Sequence, residues 1–290
     1  MPTLIDFRRR IRSVKNTQQI TRAMKFVAAA KLRRAQENAI SARPYARQLT
    51  RVLQSAMSRM ENPQHPLLEQ REEKRVLVIV LSGDKGLCGA FNTNVLRKTQ
   101  EFLREHKAKG QEISVIPIGK RGRDSLRKRG VSFAVEYVNV LSKLDYKIVR
   151  EIAGRASEYY TNGEVDAVYA IFNEFKSVMV QRLVAEKVLP IDAGAIQGVE
   201  VGAARVDYIY GQPPAEILGK LLPRYVETQV HRAMLESCAA EHAARMTAMD
   251  SATHNAKELI SKLTLHMNKV RQAAITREII EVVSGATSTA

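Results

Sequence analysis

Two very long helical patterns, one at each end of the chain, constrain the fold more than any other feature. The first covers about residues 4–60 and the second about residues 214–283. In both, apolar or small side chains recur in alternating steps of three and four residues, which is the spacing of a supercoiled helix pair. At 1.5 Å per residue, each helix would be roughly 80 to 100 Å long. We therefore expect an antiparallel coiled coil whose two helices come from opposite ends of the sequence.

The predicted seam between these helices is rich in small residues. Examples are Ala28 and Ala35 in the first pattern and Ala240 in the second. Small side chains let the backbones approach closely but bury little apolar area per turn. We therefore expect the coiled coil to be marginally stable alone and to depend on surrounding partners. Pro44 interrupts the first pattern, and it should bend the helix, with a true break as the alternative.

The middle of the chain alternates between strand and helix patterns. Strands are predicted at residues 75–82, 113–118, 131–138, 165–172 and 178–189, helices at 94–109, 125–129 and 145–161, and a hairpin link at 173–176. Alternating strands and helices form mostly parallel sheets, and the hairpin adds an antiparallel edge. The predicted fold is α/β, with a Rossmann-like mixed-sheet domain inserted between the two terminal helices. We place an N-terminal coiled-coil helix at 1–70, the α/β foot domain at 73–206 and a C-terminal coiled-coil helix at 207–290.

Positive charge is concentrated in the first helical pattern. The chain has a net charge of +16, and its first 51 residues hold thirteen lysines and arginines against two acids. A second basic cluster covers residues 120–129. This excess is larger than solubility requires and predicts an acidic partner. Both a nucleic acid and an acidic protein surface fit that prediction.

The sequence offers little support for catalysis or for a bound cofactor. The two cysteines, Cys88 and Cys238, lie far apart without metal-ligand spacing. The histidines form no HExxH pattern, and no GxSxG nucleophile motif occurs. No apolar run reaches the length of a membrane span, and the N-terminal residues have no signal-peptide core. We expect a cytosol-facing protein with no catalytic, cofactor-binding or metal-binding residues.

A glycine-rich turn at residues 83–89 stands where a phosphate-binding loop would lie, between a strand and a helix. Its glycines follow a GxxGxxG spacing, which matches neither the dinucleotide fingerprint nor the P-loop. We therefore interpret it as a structural or partner-contacting turn. A dinucleotide-dependent enzyme is kept as a rival hypothesis, and bound NAD or ATP on the isolated chain would support it.

Four segments in a fixed order carry a more specific signal. They are IRSVKNTQQITRAMKFVAAAKLRR at 11–34, LSGDKGLCGAFN at 81–92, DYIY at 207–210 and NKVRQAAITREIIEVVSGA at 268–286. Together they resemble the γ subunit of F-type ATP synthases, over essentially the whole chain.

The resemblance implies a central rotor shaft. One copy would stand in a ring of three α and three β subunits and would contact the ε subunit and the membrane c-ring. It would couple proton flow through that ring to ATP synthesis or hydrolysis on the β subunits, without being an enzyme itself. It would be a peripheral protein on the cytoplasmic side of a bacterial inner membrane. The alternative is a basic coiled-coil protein that binds nucleic acid, which predicts DNA affinity that falls steeply with salt.

The resemblance also implies contact residues, although without it most of them would pass for ordinary surface residues of a coiled coil. The expected contacts with the α/β ring are Met24, Lys25, Arg33, Arg34, Arg245, Arg271, Gln272, Thr276, Ile279, Val282 and Val283. The expected contacts of the foot with ε and the membrane ring are Lys85, Leu87, Cys88, Tyr208 and Tyr210.

Overall fold

The computed structural model describes residues 3–58, 60, 64–141, 144–192 and 213–288, without the side chains of residues 214, 281 and 285–288. Its helices are α1 (Leu4–Met57), α2 (Phe91–Ala108), α3 (Lys120–Arg127), α4 (Tyr146–Thr161) and α5 (Pro214–Ser288), and a short 3₁₀ helix covers Pro66–Leu68. Its strands are β1 (Arg75–Leu81), β2 (Glu112–Ile118), β3 (Ala167–Phe175) and β4 (Gln181–Leu189). The chain divides into a helix-pair unit, Met1–Ala28 with Arg245–Ala290, and a sheet unit, Ala29–Ala244.

The sheet unit contains a mixed four-stranded sheet in the order β2-β1-β3-β4. Strand β1 pairs in parallel with β2 and with β3, whereas β3 and β4 are antiparallel. This is the mostly parallel sheet with an antiparallel edge that the sequence predicts. A mixed-sheet domain lies in the chain between a long N-terminal and a long C-terminal helix, so the predicted fold class is confirmed.

Strand β1 is buried on both faces. Its consecutive side chains point to opposite sides of the sheet, and each side is covered by a core. Val76, Val78 and Val80 pack on the side of α2 and α3. The intervening residues pack against α4 and the two long helices, in the larger core. That core joins residues of β1, α4, α1 and α5: Leu77, Ile79 and Leu81, Val149, Ile152 and Ala156, Leu49, Leu53 and Met57, and Leu218, Leu222 and Val226.

A buried carboxylate fastens β3 to β1 at the amino ends of these strands. Asp166 accepts hydrogen bonds from the backbone N–H groups of Lys74 (3.1 Å) and Arg75 (2.7 Å) and from the guanidinium of Arg75 (3.0 Å). Burial raises the pKa of Asp166, but these hydrogen bonds outweigh it and the pKa is lowered. The sheet therefore depends on the ionised form of this group.

The helix-pair unit is built from two antiparallel helix segments. Helix α1 begins at a capping box, in which Thr3 Oγ1 accepts from the Asp6 N–H (3.3 Å) and Asp6 Oδ2 accepts from the Thr3 N–H (2.9 Å). Farther along α1, contacts to α5 move backwards through the sequence of α5. The ring centroids of Phe7 and His266 are 5.0 Å apart, and the hydroxyls of Thr21 and Thr253 are 2.8 Å apart. This order of contacts confirms the antiparallel pairing.

Both long helices continue through internal prolines. Helix α1 runs without interruption past Pro44, so the alternative in which it ends there is wrong. Helix α5 likewise runs past Pro223, a residue that the sequence analysis did not consider. None of the helices among the described residues is both long and apolar enough to cross a membrane.

Three local predictions in the sheet unit need correction. The strand predicted at 131–138 is absent, because Phe133 and Tyr137 meet β2 only at isolated bridges to Val115 and Ile118. The helix predicted at 125–129 begins earlier, directly after β2, and forms α3. The hairpin link predicted at 173–176 lies at 176–180 instead, since β3 continues to Phe175, which packs against a small buried cluster outside the sheet.

Candidate interaction surfaces

Met24 and Lys25 are the two predicted ring contacts on the α1 segment of the helix-pair unit. Both are partly buried. The ammonium of Lys25 lies 2.6 Å from a carboxylate oxygen of Asp250, one helical turn beyond the Thr21–Thr253 hydrogen bond. Lys25 is thus already paired within the chain, and a partner acid would have to share it.

The same unit exposes many large apolar side chains. A coiled coil without further partners would keep such residues in its seam, whereas these are exposed to solvent. Those from residue 275 onwards lie past the point where α1 begins, since Phe7 near the start of α1 already meets His266. The predicted apolar residues Ile279, Val282 and Val283 are 57 to 72% exposed. The other large apolar residues exposed on this unit are Ile5, Ile20, Phe26, Val27, Leu259, Leu265, Ile275 and Ile280.

The polar side chains predicted as contacts on α5 differ in exposure and in hydrogen bonding within the chain. Arg271 and Gln272 are exposed. Thr276 is exposed, yet its hydroxyl donates to the Gln272 carbonyl within the same helix (2.9 Å). Arg245 is partly buried. A partner would therefore meet Arg271 and the Gln272 side chain first.

The basic side chains of α1 are almost all exposed. Among the described residues, only Lys25 and Arg33 of this helix form salt bridges, the latter with Glu37 at 3.0 Å. Arg34 and Arg47 are exposed and belong to no such pair. Exposed ion pairs contribute little to stability, so this charge is poorly explained by folding of the chain itself. It forms a surface of high positive potential that favours an acidic partner.

The glycine-rich turn presents two predicted foot residues and hides a third. Lys85 is exposed, and Leu87, whose φ is +61°, is 65% exposed. Cys88 is only 1% exposed and packs against Phe91 and Ala240. The apolar group that this turn offers to a partner is therefore the Leu87 side chain. Tyr208 and Tyr210, the remaining foot predictions, lie outside the described residues.

Side chains of the chain itself hold this turn in shape. Asp84 Oδ1 accepts from the N–H groups of Lys120 (3.0 Å) and Asn139 (2.8 Å). The buried Ser82 hydroxyl accepts from the Gly122 N–H (2.9 Å) and lies 3.1 Å from the Ile118 carbonyl. These hydrogen bonds join the end of β1 to the start of α3 and to Asn139, and the N–H groups that they use lie outside the turn.

Sequence reasoning missed a groove in the sheet unit, between α1 and α5. Its volume is about 670 Å³, and Ala39, Ala42 and Ala46 of the predicted seam line it instead of packing closely. Tyr146 is part of its lining, with its hydroxyl donating to the Glu227 carboxylate (2.9 Å) and its ring edge-on to His231. The one signal that could have indicated the groove is the pair of large apolar residues beside these alanines, at positions 40 and 45.

Two titratable groups along the groove are shifted towards their neutral forms. Burial lowers the pKa of His231 and raises that of Glu236. Groups of histidine, cysteine, aspartate or glutamate that could hold a metal ion were not found among the described residues. The groove thus has mainly apolar walls, with the guanidinium groups of Arg43, Arg224 and Arg232 among its lining.

Comparisons with known proteins agree on one family. The family described as ATP synthase matches residues 3–289. The ATP synthase gamma chain of Solibacter usitatus is 54% identical, covering 99% of both chains. That of Chlorobium limicola is 51% identical and covers 99% of this chain and 98% of its own length.

Solved structures share the fold at lower identity. A chain of the Euglena gracilis mitochondrial ATP synthase, in a structure of its OSCP, F1 and c-ring, has a TM-score of 0.68 at 20% identity, covering 99% of this chain and 94% of that chain. A chain from the central stalk and c-ring of the Tetrahymena thermophila mitochondrial ATP synthase has a TM-score of 0.60 at 23% identity, covering 80% and 99%. These likenesses support the fold, and the full-length sequence matches establish the family. The chain belongs to the ATP synthase gamma chain family.

Proposed function

We propose that this chain is the central rotor shaft of a proton-translocating F-type ATP synthase. The observation that carries the proposal is the surface of the two long helices, which exposes basic and apolar side chains that folding of the chain does not use. A protein with such a surface needs partners around it. An acidic and partly apolar ring of three α and three β subunits would provide them.

The mechanism follows from asymmetry. A shaft that presents different side chains in different directions contacts three chemically identical sites differently at any instant. Differential contact biases each site towards one conformation and therefore one affinity for ADP, phosphate or ATP. Rotation driven by proton flow then moves each site through its states in turn. The chain supplies stiffness and graded contact, while the catalytic groups belong to the β subunits.

The individual contacts are part of the proposal. Along the helix-pair unit, the exposed Arg271 and Gln272 would meet polar loops of the ring, and the apolar residues near the end of α5 would turn within an apolar sleeve. Hydrophobic contact has little directional preference, so such a sleeve resists rotation weakly. In the sheet unit, Lys85 and Leu87 would meet ε or the membrane ring, with Tyr208 and Tyr210 as further candidates. The proposal also keeps the predicted domains, with coiled-coil helices at 1–70 and 207–290 and the foot domain at 73–206.

We place the assembled protein on the cytoplasmic side of a bacterial inner membrane, as a peripheral subunit. The named relatives, which are bacterial, support this placement. Membrane attachment would come through the rotor ring.

Co-expression with α and β subunits tests the proposal directly. We expect one copy of this chain to join three α and three β subunits and to give an assembly with ATPase activity. Recovery of the chain alone, from a mixture in which α and β assemble with another gamma chain, would contradict it. DNA binding is the matching test of the alternative, and we expect it to be weak and unspecific at physiological salt.

A further inference from the structure

We propose that Glu241 of α5 is a positioning residue for the glycine-rich turn and, through it, for the exposed Leu87 side chain. In this view the turn is a clasp that joins the carboxyl end of β1 to the long C-terminal helix. All of the residues involved belong to the sheet unit. The geometry of the clasp is independent of the proposed function, whereas its role in transmitting force rests on that function.

The contact that carries the inference lies at Gly83. A Cβ atom on this residue would stand 3.0 Å from both the carboxyl carbon and Oε1 of Glu241, and 3.2 Å from Oδ1 of Asn92. Glu241 is only 7% exposed, and Asn92 Oδ1 is held by a hydrogen bond from the Gly83 N–H (2.8 Å). Gly83 therefore packs tightly between these two side chains, which would have to give by a few tenths of an ångström to admit a Cβ atom. Its φ is not positive, so space, and not backbone conformation, favours glycine here.

The rest of the turn is held by Asn92 of α2 and packs against the same part of α5. Asn92 Nδ2 donates to the Lys85 carbonyl (3.3 Å) and approaches the Cys88 sulfur (3.2 Å). Cys88 is buried against Ala240, the neighbour of Glu241 in α5. The turn thus touches two consecutive residues of the helix, and Leu87 lies between these anchored points.

Two consequences follow. First, a displacement of α5 towards Gly83 would press on the turn that carries Leu87, because Glu241 and Ala240 already pack against this turn. Second, a carboxylate placed against Gly83 opposes a phosphate at that position, since two negative charges at close range repel strongly in a partly buried site. The turn is therefore better suited to holding a helix than to holding a nucleotide.

A double-mutant cycle in the full chain tests the clasp. The variants are Gly83→Ala, Glu241→Asp and their combination, with Glu258→Asp as a matched control on an exposed part of the same helix. Hydrogen exchange measured by mass spectrometry compares the turn, residues 83–89, with strand β2 as an internal reference. Because Glu241→Asp retracts the carboxylate by one methylene group, it makes room for the new methyl group of Gly83→Ala.

We expect Gly83→Ala alone to speed exchange in the turn by about tenfold relative to β2 and to do so much less in the Glu241→Asp background. The control should leave the turn unchanged. Equal effects of Gly83→Ala in the two backgrounds, or no effect of Gly83→Ala at all, would overturn the proposal. A general loss of stability is distinguished because it would raise exchange in β2 as well.

The mechanical role is tested in the assembled complex, by ATP-driven proton pumping relative to ATP hydrolysis. We expect Gly83→Ala to lower this ratio and the double variant to restore part of it. If the exchange cycle behaves as expected but the ratio does not change, the clasp is present without a role in coupling, and the force-transmitting role of Glu241 is rejected. If no complex forms with the unmodified chain, the proposed function fails instead.

Discussion

Lys25 and Asp250 form an ion pair between the two helices of the helix-pair unit, with Nζ 2.6 Å from Oδ1. With the Thr21–Thr253 hydrogen bond, the pair defines the antiparallel register. Both charged groups are partly exposed, with 35% and 61% of the side-chain surface accessible. Exposed pairs of this kind are worth about 0 to 1 kcal/mol. A partner carboxylate could therefore compete for Lys25 at little cost.

Exchanging the two charges distinguishes the role of Lys25 within the helix pair from its role in binding a partner. Lys25→Glu alone places two acids together and should weaken the helix pair, and adding Asp250→Lys restores an attractive pair. We expect the double variant to recover the thermal stability of the isolated chain, measured by circular dichroism, but to assemble less well with α and β subunits. Full recovery of assembly as well would mean that Lys25 serves only its own chain.

The exposed basic side chains of α1, called its basic face below, should control assembly through long-range attraction. We expect the combined substitutions Arg33→Glu, Arg34→Glu and Arg47→Glu to weaken association with α and β subunits by at least about tenfold at low salt. The difference should shrink as ionic strength rises, because screening acts on exposed charges. Titration of the chain into the αβ assembly at several salt concentrations measures this effect.

A matched control removes the same number of basic groups elsewhere. The exposed Arg104, Lys107 and Lys109, at the end of α2 and just beyond it, can be changed to glutamate together. Association close to that of the unmodified chain is expected. Equal weakening in both triple variants would show that net charge alone, and not the face of α1, is responsible.

The helix-pair unit should open before the sheet unit in the isolated chain. Among its described residues, few are buried and most of those are small, namely Phe7, Thr21, Ala28, Met249 and Ala256. We expect amide exchange in residues 4–28 and 245–284 to be faster than in β1 and β3, and to slow on assembly with α and β subunits. A single cooperative melting transition of the whole isolated chain, at high temperature, would contradict this expectation.

Asp166 should make the stability of the sheet unit depend on pH. Because hydrogen bonding lowers the pKa of this carboxyl below its ordinary value of 3.8, its contribution is present above that value and is lost as pH falls through the lowered one. We expect Asp166→Asn to reduce the free energy of unfolding by about 1 to 3 kcal/mol at neutral pH. Urea unfolding should show the difference shrinking in strong acid, and a difference that does not vary with pH would refute the electrostatic explanation.

Glu236 should show the opposite behaviour. Burial raises the pKa of this carboxyl, and Oε2 has no hydrogen-bond partner among the described residues. The ionised form is therefore unfavourable in the fold, and stability falls as pH rises from the ordinary value of 4.5 through the raised one. We expect Glu236→Gln to raise the melting temperature by about 1 to 2 °C at neutral pH.

The gain in the Glu236→Gln variant should disappear below the ordinary pKa, where both forms of the protein are neutral at this position. Glu258→Gln, at an exposed position of the same helix, is the control and should leave the melting temperature unchanged. A gain that persists in acid would point to a change in packing instead.

Much of the fold could be predicted because its signals are local and repeat. The three-and-four spacing marked α1 and α5, and Leu49 and Leu53 of that stripe are indeed buried. The run of β-branched residues marked β1, and Asp145 marked the start of α4, where it caps the Lys147 N–H. Boundaries were less predictable. Strand β3 continues to Phe175, which packs against a cluster whose members are distant in sequence.

The sequence by itself determined the two long helices, the inserted mixed sheet, the basic face of α1 and, through its four family segments, the family. These depend on periodicity, composition and ordered motifs, which one chain displays along its length. Only the tertiary structure decided that Ala39, Ala42 and Ala46 line a groove, that Cys88 is hidden while Leu87 is exposed, and that Glu241 closes on Gly83. Such relationships join residues far apart in the chain, and packing in three dimensions, which no local pattern encodes, sets them.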